Sequence, residues 1–426
     1  MSASLLPGVR MVRSAWRSPA LRAALVLGLS GGAFAVANLM LARVLPKEEY
    51  GRFSLVLAII TLGILTGPLG AQIIVNRHQM DPGPRLFGRT LLTSALVGLG
   101  LAVGAGVLYP ISFSLLLLTA LATIAGASKL VTVGHYQSRQ RYGLSLLLSE
   151  CTNLSVLIAA VATEIWRPET ALVPAAVYTV SLAAFTCFGW WKVFQDRPHL
   201  HYPDPPFPWG EAFSVVGVVG ASMLLGAIER LVIPRALSLQ DLATYSVLAT
   251  LAGSPFQMLN QGVGFALLPS LRAARDAIER RRVLRQETLV VLGACVLSTA
   301  AVWWLAPVVL RLFLKGRYEL PAALILAAIA VGTLKPLGSL AVATVNAVGS
   351  SRSLAGLGAI AWAAAALGLV GAWLGVHWGG LVGLVYGAGV GWLFRATASS
   401  WLAARSLQAP AANRADSALG NRLAEE

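Results

Sequence analysis

Charged side chains are scarce in this chain of 426 residues. Asp, Glu, Lys and Arg together make up 12% of the sequence, whereas hydrophobic residues make up 57% and the mean hydropathy is +0.71. The length alone would suggest two or three soluble domains, but such domains usually contain about 25% charged residues. The composition therefore excludes an ordinary soluble protein and predicts a polytopic membrane protein whose main solvent is lipid.

Cysteine and histidine are also few, with three and five residues. Cys151, Cys187 and Cys295 lie inside apolar segments and form no CxxC pair, which argues against a disulfide framework or a zinc site. His199 and His201 have the spacing of metal ligands on a strand, but no further Cys or His lies near them in the sequence. We therefore predict no metal and no cofactor.

Long hydrophilic loops are missing as well. The segments between the apolar runs are at most about 20 residues long, which is too short for a catalytic domain. The sequence contains no DxD motif and no phosphate-binding loop. These absences favour a transporter over an enzyme such as a membrane glycosyltransferase.

Twelve long apolar segments are present instead. Each is long enough to cross the hydrocarbon core as a helix, and such continuous runs differ from the short alternating strands of a barrel. The segments lie near residues 20–42, 51–75, 89–109, 112–133, 143–163, 171–191, 212–236, 242–268, 288–310, 320–347, 354–376 and 380–403. The predicted fold class is an all-α membrane protein with about twelve transmembrane helices.

The basic residues indicate how the chain is oriented. Although the net charge is +15, the 33 Lys and Arg residues form no single patch, so nucleic acid is not a predicted partner. Most of them fall in regions on the same side of the membrane as the N-terminus, where Arg10, Arg13, Arg17 and Arg22 precede a first helix that we expect to be retained. The positive-inside rule then places both termini in the cytoplasm.

A proline-rich stretch divides the chain into two halves. Lys192 to Glu211 contains five prolines and predicts a semi-rigid cytoplasmic linker. We expect an N-terminal six-helix bundle over 1–191, a C-terminal six-helix bundle over 212–404 and a disordered tail over 405–426. The basic loop over 271–287 fits a surface helix on anionic lipid about as well as a solvated loop helix.

The two halves resemble each other in sequence. ARVLPKEEYGRFSLVLA, from Ala42, aligns with PRALSLQDLATYSVLAT, from Pro234, and the alignment pairs Ser54 with Ser246. Further on, AGASKL aligns with VGTLKP. Because each half has an even number of spans, the halves are predicted to be parallel repeats, two pseudo-symmetric bundles around a central cavity.

The second alignment pairs two lysines, Lys129 and Lys335, each in the fourth span of its half. Snorkelling to the headgroups explains Lys335 poorly because it lies near the middle of its span, so we expect both amines to face the cavity. Pro336 agrees with this expectation, since broken helices are tolerated where they line a cavity.

The segment ARVLPKEEYGRFSLVLAII resembles the polysaccharide flippases of the multidrug/oligosaccharidyl-lipid/polysaccharide (MOP) superfamily, including the O-antigen (Wzx-type) flippases. Those proteins often read A-R-x-L-G-P-x-x-Y-G at the first outer loop, and five residues match here, namely Ala42, Arg43, Leu45, Tyr50 and Gly51. Pro46 and Lys47 replace the usual Gly and Pro, so the turn is altered. YQSRQRYGLSLLLSE, from Tyr136 to Glu150, is similar to the basic, aromatic link that follows helix 4 in the family.

This resemblance implies a flippase that moves an undecaprenyl-pyrophosphate-linked oligosaccharide, such as an O-antigen or exopolysaccharide unit, across the bacterial inner membrane by alternating access coupled to an ion gradient. Membrane lipids and a polysaccharide polymerase or export machinery would be its partners. Cationic side chains would meet the pyrophosphate and amides the sugars, although Asn and Gln could equally join helices by hydrogen bonds. The candidate binding residues are Lys129, Lys335, Arg230, Arg43, Arg235, Asn38, Gln72, Asn76, Gln257, Asn260, Gln261 and Asn346.

Glu150 and Glu229 are the candidates for ion coupling, and either could instead be a structural partner of an arginine. A flippase for lipid II or another lipid-linked glycan stays open as an alternative, and so does a non-transporting subunit of a polysaccharide export complex. A multidrug exporter is disfavoured because cationic drugs need an apolar or acidic pocket, and two intramembrane lysines do not provide one.

Overall fold

The computed structural model describes residues 19–196, 207–274 and 276–408, and this part of the chain is helical with no strand. The helices of the first half are α1 (Pro19–Val44), α2 (Lys47–Thr66), α3 (Ala71–Arg77), α4 (Pro84–Leu108), α5 (Phe113–Ser138), α6 (Tyr142–Trp166) and α7 (Leu172–Gln195).

The second half repeats this order. Its helices are α8 (Trp209–Ala236), α9 (Leu239–Leu248), α10 (Ser254–Ala273), α11 (Ala277–Leu312), α12 (Ala322–Val348), α13 (351–378) and α14 (381–408). The last two form one helical stretch, Ser351–Gln408, that is broken at Gly379 and Gly380, where the backbone leaves helical geometry.

The second span of each half consists of two helices. In the first half α2 and α3 are separated by a turn in which Leu69 and Gly70 have positive φ, and in the second half α9 and α10 are separated by a π-helical turn over Ala249–Gly253. Counting each such pair as one span, and α13 and α14 as two, the described helices supply all twelve predicted spans. Nine of the described helices meet length and hydropathy criteria for a span by themselves, with Ser351–Gln408 taken as one. The predicted all-α membrane fold is confirmed.

Local sequence explains where several helices begin. Pro46 precedes α2, and Glu48 and Glu49 occupy its first turn, where negative charge favours the helix dipole. Arg52 pairs with Glu48 at 2.9 Å and also with Glu49. Asp276 caps α11 by accepting a hydrogen bond from the Glu279 backbone N–H at 2.7 Å.

The start of α11 corrects one sequence interpretation. The basic segment 271–287 was expected to form a separate surface or loop helix, but α10 continues to Ala273 and α11 runs without a break from Ala277 to Leu312. Only the short connection between these helices interrupts the segment. The arginines of this region therefore lie mostly on the first turns of a spanning helix that extends beyond its apolar part.

The internal repeat recurs in the packing. A β-carbon on Gly126 would overlap Ile64, and a β-carbon on Gly332 would overlap Phe256. Gly126 is paired with Gly332 in the sequence alignment, and the shift of 192 residues that pairs Ser54 with Ser246 also pairs Ile64 with Phe256. The second and fourth spans thus approach each other closely at equivalent residues in each half of the chain.

The chain forms two compact units. One unit contains the described residues up to Gly220 together with Ser238–Val247, and the other contains Ala221–Leu237 and the described residues from Leu248 onward. The chain thus passes from one unit to the other within α8 and again on either side of most of α9. The domain limits expected at 191 and 212 stay a prediction; residues 197–206 of the linker and 409–426 of the tail lie outside the described residues.

Candidate functional site

Lys129 is the centre of a polar group inside the first unit. Its side chain has no exposed surface, although it lies two thirds of the way along the apolar helix α5. The Nζ atom donates hydrogen bonds to Thr152 Oγ1 at 2.7 Å and to Cys151 Sγ at 3.2 Å, both on α6. No ion pair within 4 Å among the described residues involves this amine. The amine of Lys129 therefore makes its hydrogen bonds with side chains of the neighbouring helix α6.

A carboxylate network joins α1 to α6 beside this lysine. Glu150 Oε2 accepts hydrogen bonds from Ser30 Oγ at 2.6 Å and from Asn153 Nδ2 at 3.0 Å. Asn153 also donates to Ser30 Oγ at 3.0 Å, so the three side chains close a triangle between the two helices. Glu150 precedes Cys151, which accepts a hydrogen bond from Lys129, so a basic and an acidic residue meet at the same part of α6.

The second unit holds a different group around its own lysine. Lys335 lies at the midpoint of α12, and its Nζ atom lies 5.0 Å from the ring centroid of Trp392 on α14. Arg395, also near the middle of α14, places Cζ 5.5 Å from the same ring. Its Nη2 donates a hydrogen bond to Ser222 Oγ at 3.0 Å, at the middle of α8. Lys335 and Arg395 thus lie near one indole, and Ser222 links Arg395 to α8.

The acidic counterpart of this cluster is Glu229, which is buried on α8. Glu229 directly precedes Arg230 on this helix. Close by along α12, Ser339 donates a hydrogen bond to Asn260 on α10. The second unit therefore holds one acidic and one basic residue on α8 and the basic residue Lys335 on α12.

The two aligned lysines consequently have different surroundings. Lys129 is enclosed and contacts the fifth span of its half, whereas Lys335 is only half-buried and contacts the sixth. The structure brings Lys335, Glu229, Arg230 and Asn260 into the same unit but does not give Lys129 an open surface. The described contacts of Lys129 are with side chains of α6, so its predicted role in facing a cavity stays a prediction.

The other predicted binding residues are spread over the helices. Asn38 is buried and donates a hydrogen bond to the Phe34 carbonyl at 2.8 Å, so its side-chain amide bonds within its own helix α1. Gln72 and Asn76 are half-buried on α3. Four others are exposed, and the side chain of Gln261 lies outside the described set. The exposed residues are Arg43, Arg235, Gln257 and Asn346.

Sequence reasoning missed Arg395. It falls inside the predicted span 380–403 but was not named among the candidate binding residues. Its place in α14, which continues to residue 408, puts the guanidinium halfway along the helix. An arginine three residues after a tryptophan within an apolar helix was the signal that could have found it.

Ion pairs at helix ends were also not expected from the sequence. Arg77, the last residue of α3, and His78, which follows it, both contact Glu211 at the start of α8, the latter at 3.0 Å. Arg141 contacts Asp196 at 2.5 Å. These pairs tie the helices of the first unit together at one end. Among the described residues, no group of three or more His, Cys, Asp or Glu side chains could hold a metal ion.

Solved structures of similar fold are membrane transporters. They include an inward-facing multidrug resistance MATE family transporter of the MOP superfamily, 13% identical with a TM-score of 0.60 over 90% of this chain and 94% of that one. The lipid II flippase MurJ in an inward closed conformation is 9% identical with a TM-score of 0.62, over 89% and 87% of the two chains. The Vibrio cholerae MATE transporter VcmN in its bent form is 18% identical with a TM-score of 0.57, over 91% and 98%. At these identities the likeness concerns the fold.

Among curated proteins, none matches this chain significantly. Residues 40–319, however, match the family described as polysaccharide biosynthesis protein, and this range covers well over half of the sequence. The match extends from the end of α1 into the loop before α12, so it includes the motif at Ala42–Gly51 and the repeated segment at Pro234. This chain therefore belongs to the polysaccharide biosynthesis protein family and has the fold of the MOP superfamily.

Proposed function

We propose that this protein is a flippase that moves an undecaprenyl-pyrophosphate-linked oligosaccharide from the inner to the outer leaflet of the bacterial inner membrane. The family description supports a role in polysaccharide biosynthesis, and transporters of similar fold support movement across a membrane. A lipid-linked O-antigen or exopolysaccharide repeat unit is a cargo that fits both the family description and the transporter fold. Its lipid tail can stay among acyl chains while its polar head crosses.

The observation that carries the proposal is the presence of ionisable side chains halfway along the spanning helices. Lys335 and Arg395 lie at the midpoints of α12 and α14, and Glu150 lies about a third of the way along α6. A charged group at this depth is costly in a bilayer and in most membrane proteins marks a substrate or ion pathway. Cationic donors there can replace the water that a pyrophosphate loses on crossing.

The remaining polar residues fit supporting roles in this proposal. Arg230 adds positive charge next to Lys335, and Asn260, Gln257 and Asn346 offer amides for sugar hydroxyls. Arg43 and Arg235, at the ends of α1 and α8, lie where the predicted orientation puts the outer surface and would meet the headgroup as it leaves.

Alternating access coupled to an ion gradient is part of the proposal. Glu150 accepts hydrogen bonds that hold α1 against α6, so protonation of this carboxylate would weaken one helix contact of the first unit. Glu229, which is buried on α8, is the candidate for the same role in the second unit. A polysaccharide polymerase or export machinery would use the glycan once it reaches the outer leaflet.

The direct test uses proteoliposomes that contain the full chain and a fluorescent, NBD-labelled polyprenyl-diphosphate-linked oligosaccharide. Dithionite destroys only the fluorophores in the outer leaflet, so a flippase should increase the fraction quenched relative to protein-free vesicles. Lys335→Met should slow this increase at least tenfold, which corresponds to the loss of about 1.4 kcal/mol of stabilisation on the transport path.

Two comparisons keep the test specific. An NBD-labelled phosphatidylcholine should not be moved, because it has no diphosphate. Equal quenching with and without the protein, for every lipid-linked glycan offered, would rule out flippase activity. Transport of labelled lipid II in preference to a longer glycan would favour the alternative of a lipid II flippase.

A further inference from the structure

The second unit contains a cationic cluster that the sequence prediction described only in part. Lys335, Trp392 and Arg395 lie on two helices, and Ser222 joins them from a third. Each of the polar residues lies within about one residue of its helix midpoint. Four side chains from α8, α12 and α14 therefore converge at a single depth.

The charges in this cluster are not balanced. Lys335, Arg395 and Arg230 are basic residues of this unit, and Glu229, next to Arg230 on α8, is acidic. No ion pair within 4 Å among the described residues involves Lys335 or Arg395. The indole of Trp392 attracts both cations through its ring electrons but carries no net charge. An excess of positive charge at mid-span remains for a ligand to neutralise.

The corresponding site in the first unit shows that this excess is not a general property of the fold. There Lys129 is enclosed and donates to Thr152 and Cys151, and Glu150 precedes Cys151 in the chain. Lys335 and Arg395 are instead half-buried residues that both lie near the ring of Trp392. The two aligned lysines therefore differ in burial and in the groups that they contact.

We propose that Arg395 and Trp392 complete, with Lys335, the binding site for the diphosphate group of the substrate in the second unit, and that Lys129 is not part of it. The inference rests on the proposed function, since it concerns the head of the lipid-linked cargo. Two cations on one ring match a ligand whose negative charges are spread over two phosphates. A guanidinium also offers paired N–H donors to phosphate oxygens, and Ser222 orients it by accepting one of its hydrogen bonds.

Binding of farnesyl diphosphate to the purified full-length protein in detergent tests this assignment. Farnesyl phosphate and farnesol serve as the monophosphate and neutral comparisons, and inorganic pyrophosphate tests whether the head alone is sufficient. The wild-type protein should bind the diphosphate more tightly than the monophosphate and bind farnesol weakly. Arg395→Gln should raise the Kd for the diphosphate about ten- to a hundredfold, as expected for the loss of a charge-assisted hydrogen bond, with little change for farnesol.

A matched control lies on the same helix. Arg405 stacks on Trp401 with Cζ 4.1 Å from the ring centroid, so Arg405→Gln removes an equivalent arginine–tryptophan pair near the helix end. Its Kd should equal that of the wild type. Arg395→Lys should restore part of the affinity because it keeps the charge but loses the planar fork. Ser222→Ala, which releases Arg395 without removing it, provides a second variant if Arg395→Gln does not fold.

The outcomes separate this inference from the proposed function. Unchanged diphosphate affinity in both Arg395→Gln and Ser222→Ala, or an equal loss in Arg405→Gln, overturns the assignment even where the protein flips lipid-linked glycan. Selective loss of diphosphate binding in a protein that flips no glycan supports the binding site and overturns the proposed function. An equally large loss in Lys129→Met also contradicts the inference, because that lysine is placed outside the site.

Discussion

The hydroxyl oxygens of Ser54 and Ser246 lie 2.6 Å apart, although 192 residues separate them in the chain. They are equivalent residues of the internal repeat, and a β-carbon on nearby Gly51 would overlap the backbone carbonyl of Leu239. Both serines belong to the first unit, so equivalent residues of the repeat meet there where α2 contacts α9. The contact lies in the part of these helices predicted to be on the outer side.

This contact should act as a gate if access alternates. In a Cys187→Ser background, which removes the exposed native thiol, Ser54→Cys combined with Ser246→Cys should cross-link under mild oxidation because the hydroxyls they replace are in contact. Glycan transport in proteoliposomes should stop on oxidation and return on reduction. The single variant Ser54→Cys should be insensitive to both treatments. Full transport by completely cross-linked protein would show that the contact does not open.

Two substitutions of Glu150 should distinguish its contribution to stability from its contribution to ion coupling. Glu150→Ala removes the acceptor for Ser30 and Asn153 and should lower the Tm, since each lost bond to a charged group contributes about 1.5–3 kcal/mol. Glu150→Gln keeps an acceptor oxygen and should stay within a few degrees of the wild type, at about 1 kcal/mol or less. Its transport should no longer respond to a proton ionophore. A Glu150→Gln protein that responds like the wild type would assign the carboxylate a purely structural role.

Lys129 and Lys335 should differ in their importance for transport. Lys129→Met replaces an enclosed ammonium by an apolar chain of similar length, and neutral Thr152 and Cys151 can pair elsewhere, so transport should remain within about threefold of the wild type. Lys335→Met should reduce it at least tenfold. The measurement is the initial rate of glycan flipping at equal protein incorporation. Equal losses in the two variants would support the prediction from the sequence that both lysines face the cavity.

The last two helices should be sensitive to small additions. A β-carbon on Gly375 would overlap the carbonyl oxygen of Gly383, and one on Gly387 would overlap that of Gly371. Gly375→Ala should therefore force α13 and α14 apart and destabilise the protein by about 1–3 kcal/mol, measured as a fall in Tm. Gly293→Ala on α11, which has open space around its β-carbon, should leave the Tm unchanged or raise it. A neutral Gly375→Ala would mean that the helices can separate without cost.

Many features of the fold could be predicted from the sequence because hydrophobic length is a local property. All twelve segments became helical spans, including the two broken second spans, since each apolar run must satisfy its own backbone hydrogen bonds in lipid. The repeat was also visible locally, and the paired approaches of Gly126 to Ile64 and of Gly332 to Phe256 show it in three dimensions. The prediction of a separate surface helix over 271–287 was wrong, because the length of an apolar run does not show how far a helix extends beyond that run.

The site depended on information that local sequence does not contain. The alignment showed that Lys129 and Lys335 are equivalent, but only packing decided that one is enclosed against α6 and the other lies on Trp392. Arg395 was not among the predicted site residues, and its contact with Ser222 joins two helices, α8 and α14, that are far apart in the sequence. The sequence by itself determined the class of protein, the number of spans and the duplication. The tertiary structure alone decided which charges share a site, because the energy of a charge depends on neighbours that only folding brings close.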